Sequence, residues 1–241
     1  MSEFVLPGEP PVAVRLRRST QARRLSLRVS RLDGRVTLTL PRGVAEREGR
    51  AFAIAKAAWL RAALAGQPAR LAVAPGTLLP VEGVSHEVDA AAGRGGVRCV
   101  AGQLIVAGPP ERLAVRLRAH LVALARLRLQ AAANRHAVEL GRGYCALTLA
   151  DPRSRWGSCS AAGRLMFSWR LVMAPPEVLD YVAAHEVAHL AEMNHSPAFW
   201  AVVARLCPGH AAPRAWLRAE GPGLHRYDFA APASASASSA E

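Results

Sequence analysis

The stretch HEVAHLAEMNH, which covers residues 185–195, restricts the fold most strongly. His185 and His189 are four residues apart, so on a helix they lie on one face, one turn apart. When residues 177–193 are placed on a helical wheel, Glu186 falls near the centre of the apolar arc and His189 lies inside it. A buried carboxylate without a partner is costly. The segment therefore predicts a helix that buries this carboxylate, whose partner is either a metal-bound water or an arginine.

The same stretch offers three imidazoles for one metal ion. Their spacing lets His185 and His189 reach a small ion at metal–nitrogen distances of about 2 Å. His195 can supply a third ligand, because Asn194 tolerates the left-handed conformation that often ends a helix. A catalytic zinc site uses three protein ligands and one open position, and Glu186 is placed to act on a bound water. We expect zinc, although iron, cobalt or manganese also accept imidazole ligands.

The rest of the chain alternates between strand and helix patterns. Period-two alternation indicates strands, and apolar residues three and four apart indicate helices. The predicted elements are strands at 12–17, 24–30 and 35–40 with a turn at Asp33-Gly34, a helix at 44–65, short strands within 71–107, a helix at 111–140, strands at 145–149 and 164–172, and helices at 176–193, from Ser196-Pro197 onward and at 210–220. Residues 230–241 are of low complexity, and we expect them to be disordered.

The chain is strongly basic, with 31 basic and 18 acidic residues and a formal net charge of +13. Such a charge is compatible with a nucleic-acid, phosphate or acidic-membrane partner. On the first predicted sheet, one outer face would carry Arg15, Arg17, Arg24, Arg28 and Arg35. A solvated surface is the alternative, together with a coding bias towards arginine, since Lys56 is the only lysine. The sequence leaves both explanations open.

The cysteines and the apolar segments bear on the compartment. Cys99, Cys145, Cys159 and Cys207 form no C-x-x-C pair, so we expect reduced thiols, a cytoplasmic protein, and a buried, unreactive Cys159. The start, MSEFVLPGEPP, lacks the basic and apolar regions of a secretory signal. No uninterrupted apolar stretch reaches membrane-spanning length, so no membrane partner is expected.

Three motifs resemble a known family. They are Arg155-Trp156-Gly157-Ser158-Cys159, the run Asp180-Tyr181-Val182, and His195 with the following Phe199-Trp200. Together they resemble the YgjP-like metallopeptidase domain, a bacterial group related to the WLM and SprT zincins, and the likeness covers most of residues 12–227. It implies a zincin-like α+β fold, with a small, mostly antiparallel sheet over an active-site helix. It also implies that His185, His189 and His195 bind zinc and that Glu186 is the catalytic base.

We expect three parts on this basis: an N-terminal β-rich region with one helix at 1–108, a zincin-like catalytic domain at 109–229, and the tail. Two other zincin groups fit less well. Metzincins have glycine where this chain has Glu192, and no methionine follows Met193 to form their Met-turn. Gluzincins take a downstream glutamate as a ligand, and only Glu220 lies between the third histidine and the tail.

The leading hypothesis is zinc-dependent hydrolysis of a peptide or protein. Tyr181 and Arg155 are candidates for stabilising the developing oxyanion. An extended peptide could pair with the strand at 164–172 if that strand were the exposed sheet edge, and Phe199 and Trp200 should pack the second helix against the first. Two alternatives remain: hydrolysis of a nucleotide or another phosphoanhydride at the same site, and a non-enzymatic nucleic-acid-binding module.

Overall fold

Alternating buried and exposed residues build the first sheet, as the sequence predicts. The computed structural model describes residues 2–30, 34–65 and 70–230. The first four strands are β1 (Glu3–Leu6), β2 (Val12–Ser19), β3 (Ser26–Val29) and β4 (Val36–Pro41). They form a sheet of order β1-β2-β4-β3, in which β2 and β4 are parallel and the other pairs are antiparallel. Asp33 of the predicted turn lies outside the described residues.

Two helices cover one face of this sheet. The predicted helix at 44–65 is divided at Lys56 into α1 (Glu46–Ala55) and α2 (Ala57–Ala65). Ala53 of α1 and Leu60 of α2 are buried in one hydrophobic core with Val14 and Leu38 of the strands. The core therefore lies between the helices and the apolar side of each strand.

The remaining strands and helices complete an α+β fold, as predicted. The strands are β5 (Leu71–Ala72), β6 (Leu78–Val81), β7 (Val84–Ala91), β8 (Val97–Val100), β9 (Gln103–Ala107), β10 (Ala146–Ala150), β11 (Gly157–Cys159), β12 (Arg164–Ser168) and β13 (Tyr227–Asp228). The helices are α3 (Leu113–Leu140), α4 (Pro176–Ala188), α5 (Pro197–Leu206) and α6 (Ala211–Ala219), with 3-10 turns at Pro110–Arg112, Trp169–Met173 and Gly221–Arg226. In the described part of the chain, no helix has the length and apolarity needed to cross a bilayer.

The division of the chain differs from the predicted one. Contacts separate two compact units, Met1–Ala69 and Arg70–Glu241, whereas the sequence placed a boundary after residue 108. The strands before that residue belong with the second unit because Leu104 of β9 shares a hydrophobic core with Leu117 of α3. In the predicted disordered tail, residues 231–241 lie outside the described residues.

A three-stranded sheet lies next to the helix that carries the first two histidines. Its order is β10-β12-β11, with β10 parallel and β11 antiparallel to β12. The sheet is therefore mixed, whereas the resemblance implied a mostly antiparallel one. The predicted strand at 164–172 ends at Ser168 because a 3-10 turn follows. It is also the central strand, so the condition for peptide pairing at this strand is not met, and β11 is the edge that contacts α4.

Helix α4 begins at Pro176, as predicted, and packs against α3. It ends at Ala188, earlier than the predicted end at residue 193. After Ala188 the backbone changes to 3-10 hydrogen bonding, since the backbone N–H groups of Leu190 and Ala191 each donate to the carbonyl three residues before. Helix α5 begins after the N-cap residue Ser196, as predicted.

Candidate metal centre

Three histidines converge at the end of α4. His185 lies on the helix, His189 is its C-terminal cap residue, and His195 lies in the segment before α5. One ligand nitrogen of each residue lies within 4.8 Å of the other two. The Nε2 atoms of His185 and His195 are 3.1 Å apart, close to the roughly 3.3 Å between two nitrogens bound to one tetrahedral zinc ion. The structure thus groups the same three residues as the sequence did.

The backbone and the surroundings prepare these rings for metal binding. Nδ1 of His189 lies 3.0 Å from the carbonyl oxygen of Glu192. In the tautomer in which this ring N–H donates to the carbonyl, Nε2 is left as a metal-binding lone pair. Burial lowers the pKa of His189, and burial together with the neighbouring imidazoles lowers the pKa of His185 to about 4. Both rings are therefore neutral at pH 7, the state that binds metals.

Phe199 contacts all three imidazoles. This residue of α5 is fully buried, and its ring centroid lies 4.9 Å from that of His185, 4.4 Å from that of His189 and 4.8 Å from that of His195. The ring of Trp200 lies 6.0 Å from that of His195. The two aromatics pack α5 near α4, as predicted, but their contact with the candidate ligands is a finding of the structure.

A capped turn holds His195. The side-chain oxygen of Asn194 accepts a hydrogen bond from the backbone N–H of Ser196 at 3.2 Å. Oγ of Ser196 in turn accepts from the backbone N–H of Phe199 at 3.3 Å. The predicted N-cap is confirmed, and it connects the third histidine directly to the start of α5.

The carboxylate of Glu186 is buried beside the histidines. The residue is 5% exposed, which confirms the position that the helical wheel predicted. Burial raises the pKa of Glu186 to about 7, and the positive charge of Arg155 offsets only part of that rise. A carboxyl group with this pKa can take up and release a proton near neutral pH.

Gly157 on β11 provides the space that the Glu186 side chain occupies. A β-carbon at residue 157 would lie 2.6 Å from Cγ and 2.6 Å from Oε1 of Glu186. The glycine belongs to the RWGSC motif, but nothing in the sequence connects it with a residue so far along the chain. Only the pairing of β11 with β12 and its contact with α4 bring the two together.

A cleft of about 460 Å³ contains these groups. Its lining comprises Ser154, Arg155, Gly157, Ser158, Cys159, His185, Glu186, His189, Met193 and His195. Of the two oxyanion candidates, Arg155 lines the cleft. Tyr181 is buried outside this lining, with its ring centroid 5.9 Å from that of His185 and 6.4 Å from that of His210.

Other aromatic residues and a cysteine lie around the site. Phe167 and Trp169 are buried in the core. The ring of Trp156 lies 5.0 Å from that of His225. Cys159 is a free, half-buried thiol, and burial raises its pKa, so it is protonated at neutral pH.

Comparison with known proteins gives one match. The family model described as YgjP-like, metallopeptidase domain matches residues 23–220, a span that contains every residue of the cleft. No curated protein matches the chain, and no solved structure does.

Proposed function

The chain belongs to the YgjP-like metallopeptidase domain family, and from this premise we propose that it is a zinc-dependent peptidase with a zincin-like site. His185, His189 and His195 would hold the ion, and Glu186 would be the general base. The observation that carries the proposal is the convergence of three ligand nitrogens within 4.8 Å beside a buried carboxylate.

The donor set suits zinc. Three neutral imidazoles at this separation match a catalytic site that keeps one coordination position open, and the absence of cysteine and aspartate from the cluster disfavours softer or harder ions. When bound, the ion lowers the pKa of a water in the open position and polarises the scissile carbonyl.

Glu186 moves the proton in the proposed reaction. Its carboxylate takes a proton from the attacking water and then delivers it to the leaving nitrogen of the peptide. Burial raises the pKa of this carboxyl group and so makes its carboxylate a stronger base, an effect that the positive charge of a bound ion would offset in part. Arg155 is the preferred residue for stabilising the oxyanion, since it lines the cleft whereas Tyr181 does not.

The edge strand supports a peptide as the substrate. β11 forms one wall of the cleft, and among the described strands it pairs with β12 alone. An extended peptide could add to its other side through main-chain hydrogen bonds. This would bring the scissile bond near α4, which carries the general base and contacts β11.

The general-base role is tested by Glu186→Gln, with Glu177→Gln as the control on the exposed face of the same helix. Zinc content, measured by mass spectrometry of the purified protein, should be unchanged in both. Cleavage of casein should fall by about 10²–10⁴-fold in Glu186→Gln alone, because that variant lacks the proton acceptor. Full activity of Glu186→Gln would exclude the role.

The same proteins distinguish the peptidase from a phosphoanhydride hydrolase. Phosphate release from nucleoside triphosphates is measured beside casein cleavage with equal amounts of zinc-loaded enzyme. Casein cleavage without phosphate release supports the peptidase. Phosphate release that depends on Glu186, without casein cleavage, would replace it with the nucleotide reaction, since a fold does not fix a substrate.

A cytoplasmic location is part of the proposal. All four cysteines are free thiols, as expected where glutathione and thioredoxin keep the compartment reducing. Cell fractionation with a membrane marker and a secreted marker tests it, and recovery of the protein in the secreted fraction would contradict it.

A further inference from the structure

The outer face of the first sheet is rich in arginine. On β2 and β4, the apolar residues point into the core, so the residues between them point outward. Strand register aligns Arg15 of β2, Thr37 of β4 and Arg28 of β3 across three neighbouring strands. Glu3 of β1 stands opposite Arg15 and adds one carboxylate at the margin of this row. The next outward row holds Arg17 and Thr39. Guanidinium groups and hydroxyls therefore cover a surface two strand spacings wide, about 10 Å.

More arginines collect at one end of this sheet. β2 and β4 are parallel, and β3 is antiparallel to β4. The end of β2, the start of β3 and the end of β4 therefore lie at the same end of the sheet. Arg23 and Arg24 lie just before β3, and Arg42 lies just after β4. All three are exposed. We call the combined surface the arginine face, defined by Arg15, Arg17, Arg23, Arg24, Arg28 and Arg42.

The distribution of charge argues against a coding bias as the whole explanation. Residues 1–69 hold 13 basic and 5 acidic residues, a net charge of +8, whereas residues 70–241 hold 18 basic and 13 acidic residues, a net charge of +5. A uniform bias towards arginine would spread the excess in proportion to length. Instead, the shorter unit carries the larger share.

Key arginines of this face are available to a partner. The side chains of Arg15, Arg17 and Arg28 make no hydrogen bond or ion pair with the described part of the chain. Arginine offers a planar fork of donors that matches phosphate oxygens, and the neighbouring threonine hydroxyls can also donate to phosphate. The outward strand positions hold no aromatic residue, so the face lacks the platforms on which single-stranded bases stack.

We propose that the arginine face binds double-stranded DNA through its phosphate backbone, without base specificity. The polyanionic duplex complements a positive surface that has hydroxyl and guanidinium donors but no aromatic stacking groups. This binding goes beyond the proposed hydrolysis, because its residues do not include any of the candidate metal ligands or the general base.

The test measures fluorescence anisotropy of a labelled 20-base-pair duplex with the full-length protein over a range of salt. The triple variant Arg15→Gln/Arg17→Gln/Arg28→Gln is compared with Arg94→Gln/Arg98→Gln/Arg126→Gln, which removes the same charge from exposed positions of the second unit. The first variant should bind at least about tenfold more weakly at low salt, with a log–log salt slope smaller by about 3. The control should stay within about twofold of the wild type.

Several outcomes would overturn the proposal. The proposal is wrong if the wild type does not bind the duplex at 50 mM salt or if the two triple variants lose equal affinity for it. It is also wrong if the wild type binds a single strand of the same length more tightly than the duplex. Binding of anionic vesicles that exceeds duplex binding and falls in the first variant would assign the face to a membrane surface instead. Thermal melting of each variant establishes that it is folded, and casein cleavage should be unchanged in both.

Discussion

At the residue scale, the position of the Glu186 side chain depends on the absence of a side chain at Gly157. A β-carbon at residue 157 would lie only 2.6 Å from Oε1 of the glutamate, which is too close for two atoms that are not bonded. Glu186 is buried, so it has little freedom to move away. The glycine of the RWGSC motif therefore positions the candidate base without contacting a substrate.

Gly157→Ala should displace the carboxylate and lower kcat for casein cleavage by about 10²-fold, since a shift of about 1 Å in a catalytic group can cost that much. Zinc content should be unchanged, because the three atoms nearest to the new methyl group all belong to Glu186 and not to a histidine. Gly143→Ala is the matched control, since a β-carbon at residue 143 has no atom within 4 Å. Equal activity of the two variants would contradict the positioning role.

The sequence grouped His185, His189 and His195 with Glu186, and a motif added Arg155, but it did not connect Gly157 with these residues or predict that Phe199 contacts the three histidines. The i, i+4 spacing of His185 and His189 and the apolar arc around Glu186 are properties of one helix. The contacts of Gly157 and Phe199 with these residues depend on how β11 and α5 pack against that helix. No periodicity within a segment contains this information.

At the element scale, the turn between α4 and α5 delivers the third histidine. Ser196→Ala removes the side-chain acceptor for the N–H of Phe199, which should destabilise the start of α5 by about 1 kcal/mol. Because His195 precedes this cap directly, zinc affinity should fall by up to about fivefold in a chelator-competition titration. Ser196→Asp keeps an N-cap acceptor and should bind zinc as the wild type does. Unchanged affinity of Ser196→Ala would show that the cap and the third ligand are independent.

The 3-10 turn Trp169–Met173 is tied to the end of the chain through Arg170. The guanidinium group of Arg170 donates to both carboxylate oxygens of Asp151, at 2.7 and 3.0 Å. It also donates to the carbonyls of Leu224 and Tyr227. Burial alone would raise the pKa of Asp151, but the hydrogen bonds and charge of Arg170 outweigh it and hold the pKa below its ordinary value. The ionised pair thus links three segments of the second unit.

This linkage makes stability depend on acid. Because the pKa of Asp151 is lower in the folded state, its contribution is full above the unfolded pKa of about 3.9 and is lost as pH falls through the folded value. Asp151→Asn should lower the free energy of unfolding at pH 7 by about 1–3 kcal/mol. In this variant the free energy of unfolding should also decrease less between about pH 5 and pH 2 than it does in the wild type. Asp89→Asn, at an exposed position, should leave both unchanged. Denaturant unfolding at each pH measures the effect, and parallel pH profiles for Asp151→Asn and the wild type would contradict it.

Predictions of elements were better than predictions of their ends and neighbours. Strand β12 was recognised from its apolar residues, but its central place depends on pairing with both β10 and β11, which a single segment cannot reveal. The early end of α4 follows from the tightened backbone after Ala188, where the apolar pattern alone still reads as helix. Caps were predictable because Ser196-Pro197 acts locally.

At the scale of the whole molecule, the chain holds two hydrophobic cores with no residue in common. One core contains Val14, Leu38 and Leu60, and the other contains Leu104, Leu117 and Phe167. The strands of 71–107 were predicted to belong to the first region because they are separated by turn residues. Composition identifies such turns but does not show which hydrophobic core a strand joins. The candidate ligands all belong to the second unit, so zinc should stabilise that unit selectively.

Calorimetry should therefore show two unfolding transitions, of which zinc shifts only the one that belongs to the second unit. A ligand that binds the folded state alone at 100 times its Kd stabilises it by about 2.7 kcal/mol, which for a unit of this size corresponds to a rise in Tm of roughly 5–11 °C. His195→Ala removes an exposed ligand and should abolish most of the shift while retaining both transitions. A wild-type scan in which both transitions move together, or neither moves, would contradict zinc binding confined to the three histidines.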